Sequence, residues 1–213
     1  MNQILYSEHK NILSNKKKKQ KKFKLLLCVS IFFMFFIVTY FLYYHNIAKK
    51  NEIFSKKLLN NFNLESLYFN SQEYTSNDIS NNNSFVIGNI QIPKININYP
   101  ILSNSNDELL KIAPCRFYGP SPNQNGNLCI AAHNYNDDRF FSNLHKLSIG
   151  DLINILDINN NIFSYQVYDK FEILKTDTSC TSQNTDNKRE LTLVTCNNFN
   201  GNRLIVKAEE IKK

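Results

Sequence analysis

Leu191-Thr192-Leu193-Val194-Thr195-Cys196-Asn197-Asn198-Phe199-Asn200-Gly201-Asn202-Arg203-Leu204-Ile205-Val206-Lys207-Ala208 decides the reading of the chain. Its two flanks are apolar and β-branched, as strands are. Between them lies a short turn rich in Asn and Gly, the residues that turns favour. The stretch therefore predicts a strand ending at Cys196, a turn, and a second strand that begins at Arg203. A thiol at a strand end is held rigidly and still meets solvent. A guanidinium one strand over favours its thiolate and stabilises negative charge developing on a carbonyl oxygen.

A nucleophilic cysteine needs an acid/base partner, normally histidine. Of the four histidines, His9 and His45 lie near the N-terminus, and only His133 and His145 fall in the same region as Cys196. Asn127 to His133 reads as a buried strand ending in histidine, followed by the polar stretch Asn134-Tyr135-Asn136-Asp137. His145 sits in an amphipathic segment and reads as structural. Cys196, His133 and Arg203 are therefore the candidate catalytic set. Asn134 and Asn127 are candidates to orient His133.

The neighbouring pattern is also mostly strand. Phe85 to Ile90 and Ile95 to Tyr99 read as strands, as do Asp151 to Leu156 and Ile162 to Ile173. Short helical pieces are expected at Asp107 to Ile112 and Phe140 to Leu144, and a polar loop at 174–189. Many short strands with little helix predict an all-β fold, a small closed barrel or sandwich. The region from Phe85 to the C-terminus is long enough for one core.

The 213 residues carry a formal charge of +7. Residues 1–24 hold eight lysines against one acid, Glu8, which accounts for all of it; the remainder is balanced at 17 of each sign. The body of the protein has no basic field, which argues against a general nucleic-acid binder. The lysine block leads into Leu25 to Tyr44, twenty residues without a charge. As a helix these span about 30 Å, the thickness of a bilayer's hydrocarbon core. The positive-inside rule puts the N-terminus in the cytoplasm and the remainder outside. A cleaved signal peptide is the competing reading, but the apolar run is too long and bulky residues follow it. The expected organisation is a cytoplasmic basic tail (1–24), a transmembrane anchor (25–44), an extracellular linker with one short helix (45–84) and a β-barrel domain (85–213).

Five cysteines are present: Cys28, Cys115, Cys129, Cys180 and Cys196. An outside compartment permits disulfides, and a Cys115–Cys129 pair stays open beside free thiols. No CxxC or paired His/Cys spacing suggests a metal or a thiol-disulfide oxidoreductase. No cofactor is implied. A cysteine protease of another fold and a non-enzymatic anchored binding protein are the competing classes.

Taken together, these landmarks resemble the sortases, the cell-surface cysteine transpeptidases of Gram-positive bacteria. Thr192-Leu193-Val194-Thr195-Cys196 is similar to the family's TLxTC signature, and Arg203 matches the arginine on the strand that follows. Ala131-Ala132-His133 is similar to the context of the family's histidine. Ile92-Pro93-Lys94-Ile95 resembles the opening of its barrel, and Asp107 to Leu110 its short helix. The resemblance covers residues 85–210 in order, behind an anchor. It departs in having Ala132 where many members have glycine, and in the six-residue turn after Cys196. A class A- or D-like enzyme is suggested: there is no long class B insertion, no class C lid, and no cluster of calcium-binding acids.

The resemblance implies a closed sortase-like barrel and a transpeptidase. Cys196 would attack the Thr carbonyl of an LPxTG-like sorting signal on a secreted protein, and Arg203 would hold the substrate and the oxyanion. His133 would protonate the leaving amine, and a peptidoglycan precursor amine would resolve the acyl-enzyme. Thr195, Ala132 and Asn134 would contact substrate. The loops at 99–125 and 174–189 are the expected walls of its groove.

Overall fold

The alternation read in the sequence becomes a burial pattern in the computed structural model, which describes the backbone of residues 2–65, 84–135 and 137–211. Side chains are described from residue 16 onward, except at 17, 64 and 65. The strands are β1 (Val86–Ile92), β2 (Ile97–Leu102), β3 (Cys115–Tyr118), β4 (Gly126–Ala131), β5 (Leu152–Asp157), β6 (Ile162–Ile173), β7 (Arg189–Cys196) and β8 (Arg203–Glu210). Two α-helices accompany them, α1 (Asn2–Glu65) and α2 (Asp107–Leu110).

The eight strands close into a barrel in the order β1-β2-β3-β4-β7-β8-β6-β5. Closure gives every strand a neighbour on both sides, the slightest being β2–β3, which meet at Leu102 and Cys115 alone. Ile90, Ile92, Ile130, Leu191, Leu193 and Val206 fill its interior and are almost wholly excluded from solvent. Only β2–β3 and β4–β7 are parallel neighbours. A parallel pair needs a long crossover, and here β5, β6 and the 174–188 loop supply it. As a result the ends of β4 and β7 that carry His133 and Cys196 lie at the same rim.

β7 is buried on both faces. Leu191 and Leu193 belong to the barrel core, while Val194 packs outside it with Cys180 and Ile205. The cover is the 174–188 loop, whose single turn of 3₁₀ helix spans Ser179–Thr181. This explains why β7 reads as a near-continuous apolar run and not as an alternating one.

The chain divides into two compact units, Met1–Lys49 and Lys50–Lys213. In the first, every residue from Leu25 to Tyr44 is exposed on all sides of α1. A helix that is apolar all round and uncovered by protein suits a bilayer, and it is the described helix long and apolar enough to cross one. This supports a single-pass membrane anchor. In the second unit the end of α1 packs on the barrel. Leu58 joins Leu102, Leu109, Ile112, Ala113 and Cys115 in one cluster, and the Tyr99 hydroxyl donates to Glu52 at 3.1 Å.

Several local expectations change. α1 runs unbroken to Glu65, where one short helix was expected within 45–84, because the first 87 residues contain neither Gly nor Pro to stop it. The rest of that linker, residues 66–83, lies outside the described residues. β2 starts at Ile97 and not at Ile95, because Pro93 opens a 3₁₀ turn and Asn96 closes it in the left-handed region. β3 was not expected among its flanking prolines; pairing with β4 creates it. The helical turn near 140 falls later, at Leu144–Lys146. Cys115 and Cys129 are free, since β3 and β4 pair Cys115 with Ala131 and Cys129 with Tyr118. The β3–β4 turn itself requires glycine at 119, where φ is +86° and a Cβ would lie 2.0 Å from the Asn127 carbonyl oxygen.

Candidate active site

β7 ends on Cys196 and β8 begins on Arg203, and the two are register partners across the ladder. The connecting turn is built by asparagine side chains. Asn197 Oδ1 accepts from the Phe199 N–H at 2.9 Å, and Asn200 Oδ1 from the Asn202 N–H at 3.0 Å. Such local bonds are what asparagine offers a turn. The amides of Asn197 and Asn200 also donate to the two carboxylate oxygens of Glu172 on β6, which hold that acid below the usual carboxylate range. The turn is thus tied to the barrel, and Phe199 at its tip stands fully exposed.

This fixed hairpin brings Arg203 to the thiol: Nη1 donates to Cys196 Sγ at 2.8 Å. A guanidinium N–H on sulfur is a charge-assisted bond, stronger than a neutral one. Cys196 is half-buried, so the sulfur remains reachable. The other thiols of the barrel differ. Cys115 and Cys129 are fully buried, and burial pushes each thiol up to about 12. Cys180 is buried and raised for the same reason.

His133 follows the end of β4 by two residues. Three bonds lace its flanks to β7: the Ala132 N–H donates to the Val194 carbonyl at 3.1 Å, the Thr195 hydroxyl to the Ala132 carbonyl at 2.8 Å, and the Asn134 amide to the Cys196 carbonyl at 2.8 Å. Asn198 closes the loop by donating to the Asn134 carbonyl at 3.0 Å. The histidine is therefore held between residues bonded to Thr195 and Cys196. Its ring meets that of Tyr135 at a tilt of 44°, centroids 5.1 Å apart, and Tyr135 in turn carries the Arg139 guanidinium 4.3 Å above its ring. Burial lowers the His133 pKa; Asp107 opposes this, and Lys111 and Arg139 add to it.

Five of the expected site residues thus surround Cys196 at one rim: Arg203, His133, Thr195, Ala132 and Asn134. Two expectations about them change in detail. The Thr195 hydroxyl is buried and given to Ala132, and Asn134 bonds the cysteine strand where it was expected to bond the imidazole. Asn127 does not reach the site. Its amide donates to the carbonyls of Cys180 and Ser182, which anchors the 174–188 loop. His145 is exposed, with Nδ1 3.1 Å from the Ser142 carbonyl. Tyr135 and Arg139 escaped the sequence reading because they sit in a polar stretch with no strand or helix period. A cleft of about 500 Å³ opens beside the rim, lined by Asn134, Tyr135, Asp138, Asn143, Asn198 and Phe199 among others.

A half-exposed thiol with a guanidinium on it and an imidazole on the next strand can attack a carbonyl, hold the resulting oxyanion and exchange a proton. The Sortase domain family matches residues 90–211. Among solved structures, the chain is similar to the sortase D5 transpeptidase of Clostridium perfringens, at 30% identity and a TM-score of 0.62, over 76% of this chain and 100% of that one. It is also similar to sortase C1 of Streptococcus agalactiae, at 27% identity and a TM-score of 0.53, over 60% of this chain and 68% of that one. Sortase A of Corynebacterium diphtheriae, at 21% identity and a TM-score of 0.56 over 75% of this chain and 94% of that one, shares the fold. No curated protein matches the sequence.

Proposed function

The chain belongs to the sortase family, and from that premise we propose that it is a membrane-anchored transpeptidase acting on LPxTG-like sorting signals of secreted proteins. The observation that carries the reading is the 2.8 Å contact between Arg203 Nη1 and Cys196 Sγ, with His133 laced to the same strand end. In this scheme the Cys196 thiolate adds to the Thr carbonyl of the signal. Arg203 stabilises the charge that passes from sulfur to the carbonyl oxygen. His133 as imidazolium gives a proton to the leaving amine of Gly, and the C–N bond breaks to leave a thioester. A peptidoglycan precursor amine then attacks the thioester, His133 takes up its proton, and the sulfur leaves as thiolate.

Thr195 and Ala132 hold the His133 strand end against the Cys196 strand end, and Asn134 fixes the cysteine backbone. The lysine block at residues 16–24 supports an N-terminus in the cytoplasm and a barrel outside, where sorting signals and precursors would meet.

Transfer distinguishes this reading from that of a surface cysteine protease. The full-length chain in detergent micelles, given an LPxTG-type peptide and rising concentrations of a primary amine acceptor, is expected to convert hydrolysis product into amide product. A yield of hydrolysis product that no amine changes would overturn the transpeptidase reading. Turnover that persists in Cys196→Ala would overturn the nucleophile.

A further inference from the structure

One set of contacts at the site is not used by the chemistry above. His133 meets Tyr135 at a tilt of 44°, Tyr135 meets Phe140 at 46° with centroids 5.8 Å apart, and Phe140 meets Tyr99 edge-on at 5.0 Å. Tyr99 is buried, and its hydroxyl donates to both carboxylate oxygens of Glu52, at 3.1 and 3.3 Å. Burial and the Glu52 carboxylate raise the Tyr99 pKa, so the phenol stays a proton donor, and a backbone hydrogen bond from Phe140 also reaches it. The row thus runs from an acid on α1, just past the apolar segment in sequence, to the imidazole.

Phe140 is the hub of this row. Its φ is +51°, a strained value for a bulky residue, and its side chain is wholly buried. Its backbone forms an isolated β-bridge with Asn134, and the next N–H, that of Phe141, donates to the His133 carbonyl at 3.1 Å. A shift of the Phe140 ring therefore moves Asn134, which bonds Cys196, and the residue that carries the imidazole. Strain of this sort persists only where surroundings over-determine it. Tyr99 and Tyr135 are the surroundings here.

We infer that Glu52 and Tyr99 are positioning residues for His133, acting through Phe140 and Tyr135. The inference rests on the reading of His133 as the acid/base group of the proposed transpeptidase. The helix that continues the anchor segment then sets the geometry of the site as well as attaching the barrel. A barrel fragment that begins at Phe85 lacks Glu52 and is expected to be a slower enzyme than the full chain.

The test uses the full-length chain in micelles, an LPxTG-type peptide and a primary amine acceptor. Glu52→Ala and Tyr99→Phe are each expected to lower kcat by about threefold to tenfold, with KM for the peptide nearly unchanged. Glu52→Gln keeps an acceptor for the hydroxyl and is expected to retain kcat. The double variant Glu52→Ala with Tyr99→Phe should lose no more than either alone, because one contact is removed twice. The His133 imidazole resonances should shift in both single variants. Leu128→Val, a barrel-core change outside the row, controls for loss of stability: it should lower Tm and leave kcat alone. Unchanged kcat in Tyr99→Phe, or a loss that Leu128→Val reproduces at matched Tm, would overturn the positioning role. His133→Ala separates this from the larger premise: if it stays fully active, the functional reading fails, whereas an inactive His133→Ala beside a normal Tyr99→Phe removes only the relay.

Discussion

The two ends of the parallel β4–β7 pair use similar residues to opposite effect. At the end where the strands begin, Asn127 is buried and every polar atom it has is engaged. Its amide serves Cys180 and Ser182, its oxygen takes the Thr192 hydroxyl at 2.8 Å, and its backbone N–H and carbonyl both bond the Gln183 side chain. At the end where the strands finish, Cys196 and His133 are half-exposed, and the polar groups bond the backbone that carries them. Saturation and burial make a fastening. Partial exposure beside a fixed cation makes a reactive group. The strands are the same, so the difference comes from what covers each end: the 174–188 loop closes one and leaves the other open.

The sharpest way to break this comparison is to exchange the consequences. Cys196→Ala is expected to reduce transfer by a factor of about 10³ or more, with Tm little changed, since a half-exposed thiol contributes little to packing. Arg203→Lys keeps the charge and loses the planar guanidinium, and should lower kcat by about 10²-fold. Asn127→Leu should do the reverse. It removes the amide that serves the Cys180 and Ser182 carbonyls and leaves the Thr192 hydroxyl only its 3.5 Å bond to Cys180, and is expected to cost about 3 kcal/mol in denaturant unfolding while the folded fraction stays active. Full activity in Cys196→Ala, or an unaltered midpoint in Asn127→Leu, would dissolve the distinction.

A second asparagine sharpens the point. Asn89 on β1 is also buried, yet neither of its side-chain polar atoms has a hydrogen-bond partner. Asn89→Leu is therefore expected to raise stability by about 1 kcal/mol, opposite in sign to Asn127→Leu. The smallest effect concerns His133. Burial lowers its pKa, and the charged groups around it are Asp107 and Lys111 near α2 and Arg139 on its own loop. Asp107→Asn removes the group that opposes the lowering, so the imidazole titration followed by NMR should move further down. Arg139→Gln should move it up, by roughly a few tenths of a unit in each case.

Much of the candidate rim was legible in the sequence because its residues fall at strand ends. Cys196, Arg203 and His133 stand where apolar runs meet turn residues, and β5, β6, β7 and β8 carry the patterns of strands. What was not legible depends on partners far away in the chain. β3 is four residues among prolines and exists through its pairing with β4. Asn127 reads as a candidate to orient His133 until the 174–188 loop folds over it. The far end of α1 was read as a linker with one short helix because its apolar positions, Leu58 and Phe54 among them, only make sense against β2, α2 and β3. The row from Glu52 to His133 joins residues 47, 41, 5 and 2 positions apart, and no local period could signal it.

The central claim is that Cys196 forms the acyl bond. Intact-mass measurement of the full-length chain, after mixing with an LPxTG-type peptide and no amine, addresses it directly. The expected spectrum shows one added acyl fragment ending in Thr, mapped to Cys196, that disappears when an amine is added and never forms in Cys196→Ala. An adduct on another residue, or the same adduct in Cys196→Ala, would contradict the account.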